Sequence, residues 1–224
     1  MKKFEKNSLN KFINNKDLTQ KQKDIIIGTT LGDNHIRQNL SKSLVSLSYG
    51  YANKIYSHFL FKNLKSLSKQ LSPKENKNLD SRYNKIRYSY TFSLKSLSSL
   101  IPFADLFTKL IIKNNKQSYL KIMPSYNTLY KLLTPRALAF LIMDDGHKYK
   151  KGGITLCTDS FTLAEVKRLI KVLETKFKFN CTIHNKKNKA KTKIYHRIYI
   201  RSSSLSLLHY LIFKYMCTEM LYKI

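Results

Sequence analysis

At 224 residues the chain is long enough to bury a substantial core, as one domain or two small fused ones. Lys and Arg number 42 against 13 Asp and Glu, and a formal net charge of +29 calls for a polyanionic partner, nucleic acid before a membrane surface. No apolar stretch approaches the roughly 20 residues of a membrane span, and the charged start Met1-Lys2-Lys3-Phe4-Glu5-Lys6 lacks the apolar run of a secretory signal, so neither a membrane-embedded nor a secreted protein is expected.

Residues 1–18 are polar and rich in Lys and Asn, the composition of a flexible basic arm. Thr19 and Gln22 then stand in capping-box spacing ahead of an apolar run. Alternation follows, with Leu47, Tyr49 and Tyr51 facing one way and Ser46, Ser48 and Gly50 the other, before a helix over 53–70. The polar stretch 72–84, with Pro73, reads as a loop, and 83–92 as a strand. Residues 102–112 read as an amphipathic core helix and 113–131 as a linker to the second half. There Thr134 and Pro135 give a helix start, an N-cap followed by proline at the first helical position. Ile154, Leu156 and Thr158 share a strand face. Thr162 and Glu165 form a capping box for a helix over 163–178, with Leu163, Val166, Ile170, Leu173 and Phe177 on one side. Strand sequence fills 180–201, and 205–217 reads as a further core helix. The predicted order α-β-β-α-β-β-α thus occurs twice, with one strand of the first half unassigned. The expectation is an α+β protein of two half-domains, 19–112 and 132–224.

Period-2 alternation assigns the strand faces. In 86–92, Ile86, Tyr88, Tyr90 and Phe92 face the core, so Arg87, Ser89 and Thr91 point away. In 193–201 the isoleucines share one face and Lys193, Tyr195, Arg197, Tyr199 and Arg201 the other. Such a face is either the ordinary wet side of an antiparallel sheet or a surface that follows a nucleic-acid groove. Its recurrence in both halves of so basic a chain favours DNA. The preceding run 184–193, with five lysines, reads as a hairpin tip near phosphates. Cys157, Cys181 and Cys217 fit neither a disulfide framework nor a zinc pair and are expected as buried thiols in a reducing compartment. Lysine outnumbers arginine 35 to 7, the amino-acid shadow of A·T-rich codons, which fits an organellar gene.

Two stretches whose aspartates lie 112 residues apart (145 − 33) carry the chemistry: Ile26-Ile27-Gly28-Thr29-Thr30-Leu31-Gly32-Asp33-Asn34 and Leu138-Ala139-Phe140-Leu141-Ile142-Met143-Asp144-Asp145-Gly146. Each is an apolar helical run containing small residues and ending on an aspartate. Two such helices packed side by side bring Asp33 and Asp145 out at one end, beside unsatisfied carbonyls, as a hard oxygen site suited to Mg²⁺. Asp144, one step earlier on the helix, points elsewhere, so its backbone carbonyl and that of Gly32 are the expected ligands. His35 and His147 have no second His or Glu at helical spacing, which argues against zinc and leaves them to DNA or solvent.

The paired motif resembles that of the single-chain LAGLIDADG homing endonucleases, in their monomeric, intron-encoded I-SceI type. The flanks Gly32-Asp33-Asn34-His35-Ile36-Arg37, Leu133-Thr134-Pro135, Ser160-Phe161-Thr162 and Met220-Leu221-Tyr222-Lys223 add to the likeness, which runs from about Lys23 to the C-terminus. The first motif departs from the family pattern at Thr29, Thr30 and Asn34. The resemblance implies two pseudo-symmetric αββαββα half-domains, the motif helices at their central interface and two antiparallel sheets forming a DNA-binding saddle. It implies a monomer that cuts both strands of double-stranded DNA at a long asymmetric site and promotes intron mobility, with Mg²⁺ as cofactor and Mn²⁺ as a substitute. Asp33 and Asp145 are then catalytic and metal-binding, with Gly32 and Asp144 as further metal ligands. Lys121 and Lys223 match the basic residues that assist near each metal, each following the final helix of its half. Candidate DNA contacts are Arg37, Arg87, Lys193, Tyr195, Arg197, Tyr199, Arg201, His147 and Lys148. The rival is an intron RNA maturase of the same fold, with its own intron RNA as partner; loss of the motif aspartates would favour it, and both are present. A mitochondrial or other organellar setting is expected.

Overall fold

The computed structural model describes residues 3–39, 44–81, 83–113, 116–149, 152–188 and 190–224. Helix α1 (Lys3–Ile13) precedes the first half, which runs α2 (Gln20–Leu31), β1 (His35–Asn39), β2 (Leu44–Tyr51), α3 (Lys54–Leu64), β3 (Lys74–Asp80), β4 (Lys85–Ser93) and α4 (Ile101–Phe107). A hairpin of β5 (Thr108–Lys113) and β6 (Lys116–Lys121) and a short helix α5 (Tyr126–Leu132) come next. The second half repeats the order with α6 (Pro135–Asp145), β7 (Gly146–Lys148), β8 (Ile154–Leu156), α7 (Leu163–Phe177), β9 (Cys181–Lys187), β10 (Ile194–Ile200) and α8 (Leu205–Ile212). The two larger sheets have the same antiparallel topology, β1-β2-β4-β3 and β7-β8-β10-β9. The fold is α+β with the expected repeat.

Helices α2 and α6 begin where side chains satisfy their free N–H groups. Thr19 accepts from Gln22 while the Gln22 side chain accepts from the Thr19 amide, and Thr134 accepts from Ala137 with Pro135 beside it. The two helices then pack so closely that a Cβ added at Gly28 would lie 2.2 Å from the Ala137 carbonyl oxygen. From Gln22 to Leu31 every residue of α2 is buried, because one side meets its own half and the other meets α6. Thr29 and Thr30, the polar departures in the first motif, are fully buried yet bonded. Thr29 donates to the Ile25 carbonyl (2.9 Å), and the Asn34 amide donates to both hydroxyls at 3.1 and 2.7 Å. One hydrophobic cluster runs through both halves.

Several elements differ from the sequence expectations. The arm over 1–18 is largely the helix α1: Leu9 and Phe12 are buried, Phe12 packs on Phe103 at 5.2 Å, and Glu5 accepts the Ser125 amide at 2.8 Å. Its first two residues, Met1 and Lys2, lie outside the described residues. The helix expected over 102–112 stops at Phe107, where the Thr108 hydroxyl donates back to Ala104 and the chain turns into β5. The linker over 113–131 carries β6 and most of α5, with positions 114 and 115 outside the described residues. The polar loop over 72–84 contains β3, the strand missing from the first half, which pairs with β4 over its whole length. Helix α8 ends at Ile212 and gives way to a 3-10 turn. Ile86 and Tyr88 are exposed, since the outer end of the β3–β4 pair extends beyond the core; only Tyr90 and Phe92 face inward.

Candidate active site at the ends of the central helices

Asp145 is the last residue of α6, and Asp33 follows the end of α2. A direct bond ties the two motif ends: the Asp33 amide donates to Oδ2 of Asp144 at 3.1 Å. Asp33 is exposed and Asp145 half-buried. Burial, then the negative charge of Asp33, pushes the Asp145 carboxyl up to about 7, against the opposing pull of Lys121 and Lys223. The two carboxylates therefore share one electrostatic environment while opening onto separate clefts. The Asp33 cleft is lined by His35, Arg37, Ser48, Gln70 and Thr91. The Asp145 cleft is lined by His147, Lys148, Cys157, Lys186, Arg197 and Lys223.

The two lysines take matching positions. Lys121 Nζ donates to the Gly32 carbonyl at 2.6 Å, and Lys223 Nζ donates to the Asp144 carbonyl at 2.8 Å. Each therefore meets the carbonyl just before a motif aspartate. Burial lowers both ammonium pKa values, and the surrounding acids oppose that shift. Each lysine comes after the final helix of its half, though not directly. Lys121 ends β6, and Lys223 ends the 3-10 segment Thr218–Lys223. The symmetry is one of position in space, reached from two unlike elements.

Asp144 is more than a carbonyl donor. Its carboxylate turns into the first half and accepts from Tyr56 (2.6 Å) and Tyr51 (3.3 Å) besides the Asp33 amide. Burial, then the Asp33 charge, pushes its carboxyl up to about 8, and the Tyr56 bond opposes this. Among the described residues no group of three or more His, Cys, Asp or Glu side chains is placed to hold a metal. The donors at hand are the carboxylates of Asp33 and Asp145 and the carbonyls of Gly32 and Asp144. All are hard oxygens in a region crowded with negative charge, a set that fits a hard divalent cation and not zinc.

The candidate DNA-contact residues divide into three groups. Arg37, His147, Lys148 and Arg197 line the two clefts. Arg197 is already engaged, its Nε on Asp159 Oδ1 at 2.7 Å and a terminal nitrogen on Oδ2, so it is not the free groove reader that alternation suggested. Lys148 donates to the Ile224 carbonyl. Tyr199 and Tyr195 lie on β10, where the Tyr199 ring stacks on His184 at 4.5 Å and its hydroxyl donates to Gly152, while Lys193 covers the Tyr195 ring. Arg87, paired with Asp80 at 2.8 Å, lies far out on β4, and Arg201 is exposed beyond the end of β10. Lys189 of the hairpin tip lies outside the described residues. Cys181 and Cys217 are buried and Cys157 half-buried, all three as free thiols.

Residues 23–208 match the LAGLIDADG DNA endonuclease family. The chain belongs to this family. It is similar to "DNA endonuclease I-ChuI" of Chlamydomonas applanata, 31% identical over 217 residues that span 92% of this chain and 95% of that protein. "Cytochrome b mRNA maturase bI2" of Saccharomyces cerevisiae is 30% identical over 209 residues, covering 89% of this chain and 46% of the maturase. Among solved structures, "The homing endonuclease I-WcaI bound to its DNA recognition sequence" superposes with a TM-score of 0.77 at 26% identity, over 92% of this chain and 86% of that one.

Within this LAGLIDADG chain, sequence reading missed the carboxylate of Asp144 and its partners Tyr51 and Tyr56, the Asp159 clamp on Arg197, and Cys157 and Lys186 in the second cleft. Tyr51 carried a usable signal, as the last inward position of an alternating strand. The other five depend on which elements meet in space, and nothing local announced them.

Proposed function

We propose that the chain is a site-specific, metal-dependent double-strand DNA endonuclease acting as a monomer on a long asymmetric target and promoting intron mobility. The observation that carries the reading is the placement of Asp33 and Asp145 at the ends of two crossing helices, each with a lysine ammonium on the carbonyl before it. A divalent cation, Mg²⁺ with Mn²⁺ as substitute, held by Asp33, Asp145 and the Gly32 and Asp144 carbonyls, would supply charge neutralisation at the phosphate and activation of water. Lys121 and Lys223 keep fixed positive charge where negative charge develops on the phosphate. One aspartate serves each strand, and two non-identical halves free the target from palindromic symmetry.

The basic clefts and outer strands supply the DNA contacts: Arg37, His147, Lys148 and Arg197 near the scissile phosphates, and Arg87, Lys193, Tyr195, Tyr199 and Arg201 further out. Cytochrome b mRNA maturases among the relatives give the maturase reading its support, and retention of both aspartates favours nuclease chemistry. The same relatives and the lysine-rich composition support a mitochondrial or other organellar gene.

The test is a cleavage selection on randomised duplex DNA with and without Mg²⁺, repeated with Asp33→Asn and Asp145→Asn. Each substitution removes a carboxylate at nearly constant shape. Double-strand cutting should vanish in both variants and without metal, while binding in Ca²⁺ persists. Wild-type cutting by either variant would sink the assignment.

A further inference from the structure

The Asp144 carboxylate crosses the helix interface. It belongs to the second motif, yet among the described residues every hydrogen bond it makes lies in the first half: the Asp33 amide at 3.1 Å, Tyr51 at 3.3 Å and Tyr56 at 2.6 Å. Tyr56 is 1% exposed and Tyr51 8%, so the phenols hold this carboxylate from inside the core. The fit is tight on its other side as well. A Cβ added at Gly32 would lie 2.5 Å from the Asp144 Cβ and 2.7 Å from Oδ2, so the first motif needs glycine there to admit this side chain. The corresponding position in the first motif is Gly32 itself, which has no side chain to return across the interface. The second half thus receives no equivalent support.

We propose that Asp144 is a positioning residue for Asp33, so that the second motif orients both aspartates of the site. Its carboxylate fixes the backbone of the turn that carries Asp33, with Tyr56 and Tyr51 as the rigid anchors behind it. Asp145 keeps its place through its own helix end and the bond from the Cys157 amide to its carbonyl at 3.0 Å, neither of which involves the Asp144 side chain. The consequence is an asymmetry between strands. This rests on the reading that one aspartate serves each strand.

Two measurements on the full chain test it. The first is hydrogen exchange at the Asp33 amide by NMR, which needs neither metal nor DNA. Loss of this bond should accelerate exchange on the order of tenfold in Asp144→Ala. Asp144→Asn, which keeps the shape and an acceptor, should recover most of the protection. Tyr56→Phe removes one anchor hydroxyl and should give a partial effect, and it carries the test if Asp144→Ala does not fold. The second is single-turnover cleavage of a target whose strands are labelled separately, with Asp33→Asn identifying the strand that Asp33 serves. Asp144→Ala should slow that strand more than the other and accumulate nicked DNA, with Asp144→Asn losing less. Unchanged Asp33 exchange in a folded Asp144→Ala or, failing that, in Tyr56→Phe overturns the inference. So does equal slowing of both strands. If Asp33→Asn shows no strand preference, the one-aspartate-per-strand reading falls, and amide exchange alone decides the role of Asp144.

Discussion

The lysines of this chain differ by what their ammonium groups touch. Lys121 and Lys223 are desolvated and aimed at the ends of the motif helices, whereas Lys187 lies exposed near the tip of the β9–β10 pair. Preorganised charge beside a reacting phosphate is typically worth a few kcal/mol in the transition state. Lys121→Met and Lys223→Met should therefore each slow single-turnover cleavage by about 100-fold or more, with little change in binding. Lys187→Met should weaken binding and leave the rate at saturation intact; candidates that behave like Lys187 would be ordinary surface lysines. The arginines divide in the same way. Arg197 has two nitrogens committed to Asp159 beside the Asp145 cleft, while Arg201 is exposed beyond the strand. Arg197→Ala should reduce cleavage more than affinity. Arg201→Ala should reduce affinity, with roughly 1–3 kcal/mol of base discrimination lost if it grips a guanine edge. Titration against matched and mismatched targets separates these outcomes, and identical behaviour of the two variants would refute the division.

Elements are where the sequence was read best and worst, and the reason is the range of the interactions involved. Helix starts at Thr19 and Thr134 are local chemistry, fixed within four residues, and the small residue at the α2–α6 crossing is equally local. That crossing gives a sharp prediction. A methyl at Gly28 would meet the Ala137 carbonyl carbon at 3.0 Å, its oxygen at 2.2 Å and the Phe140 Cβ at 2.7 Å, so the helices must part. Overpacking of this kind costs about 1–3 kcal/mol, a fall in Tm of roughly 2–4 °C per kcal/mol at this size. A Gly28→Ala melt as high as wild type would show that the crossing is looser than it stands. Other elements left no such trace. Strand β3, Lys-Glu-Asn-Lys-Asn-Leu-Asp, has no buried residue and no apolar alternation, and exists because β4 offers it a ladder. Leu110, Ile111 and Ile112 are a short apolar run that suits helix or strand equally, and the hairpin register with β6 decides it. Leu9 and Phe12 are two apolar positions in a lysine- and asparagine-rich segment, given meaning by Phe103 across the chain. At the site, the aspartates were legible from their motifs. The inward turn of Asp144 was not, because a helical repeat says which way a side chain leaves its axis and nothing about which half receives it.

At the scale of the molecule, one core and one charge imbalance act together. The hydrophobic cluster runs through both halves, and α1 ties the first half to the connecting segment, since it packs on α4 while Glu5 holds the Ser125 amide ahead of α5. On that frame sits a net charge of +29, with only 13 acids to offset it. Several of those acids are already committed: Asp24 to Arg136 at 3.2 Å, Asp159 to Arg197, and Asp33, Asp144 and Asp145 to the site. The remaining positive surface repels itself in the folded state and attracts phosphates, so salt must act on stability and binding with opposite signs. Screening shortens the reach of self-repulsion to about 10 Å at 0.1 M and less above it. Raising NaCl from low to physiological concentration should therefore raise the Tm of the free protein. Over the same range DNA affinity should fall steeply, with a slope of about −0.9 in log K against log[salt] for each phosphate neutralised. Duplex DNA should itself raise the Tm at low salt, an effect that fades as binding is lost. A melting series in NaCl with and without duplex, beside binding titrations at the same concentrations, measures all three. Salt-insensitive affinity would show that the basic surface does not neutralise phosphates. A Tm that falls with added NaCl would show that the fold does not carry the repulsive load that its composition implies.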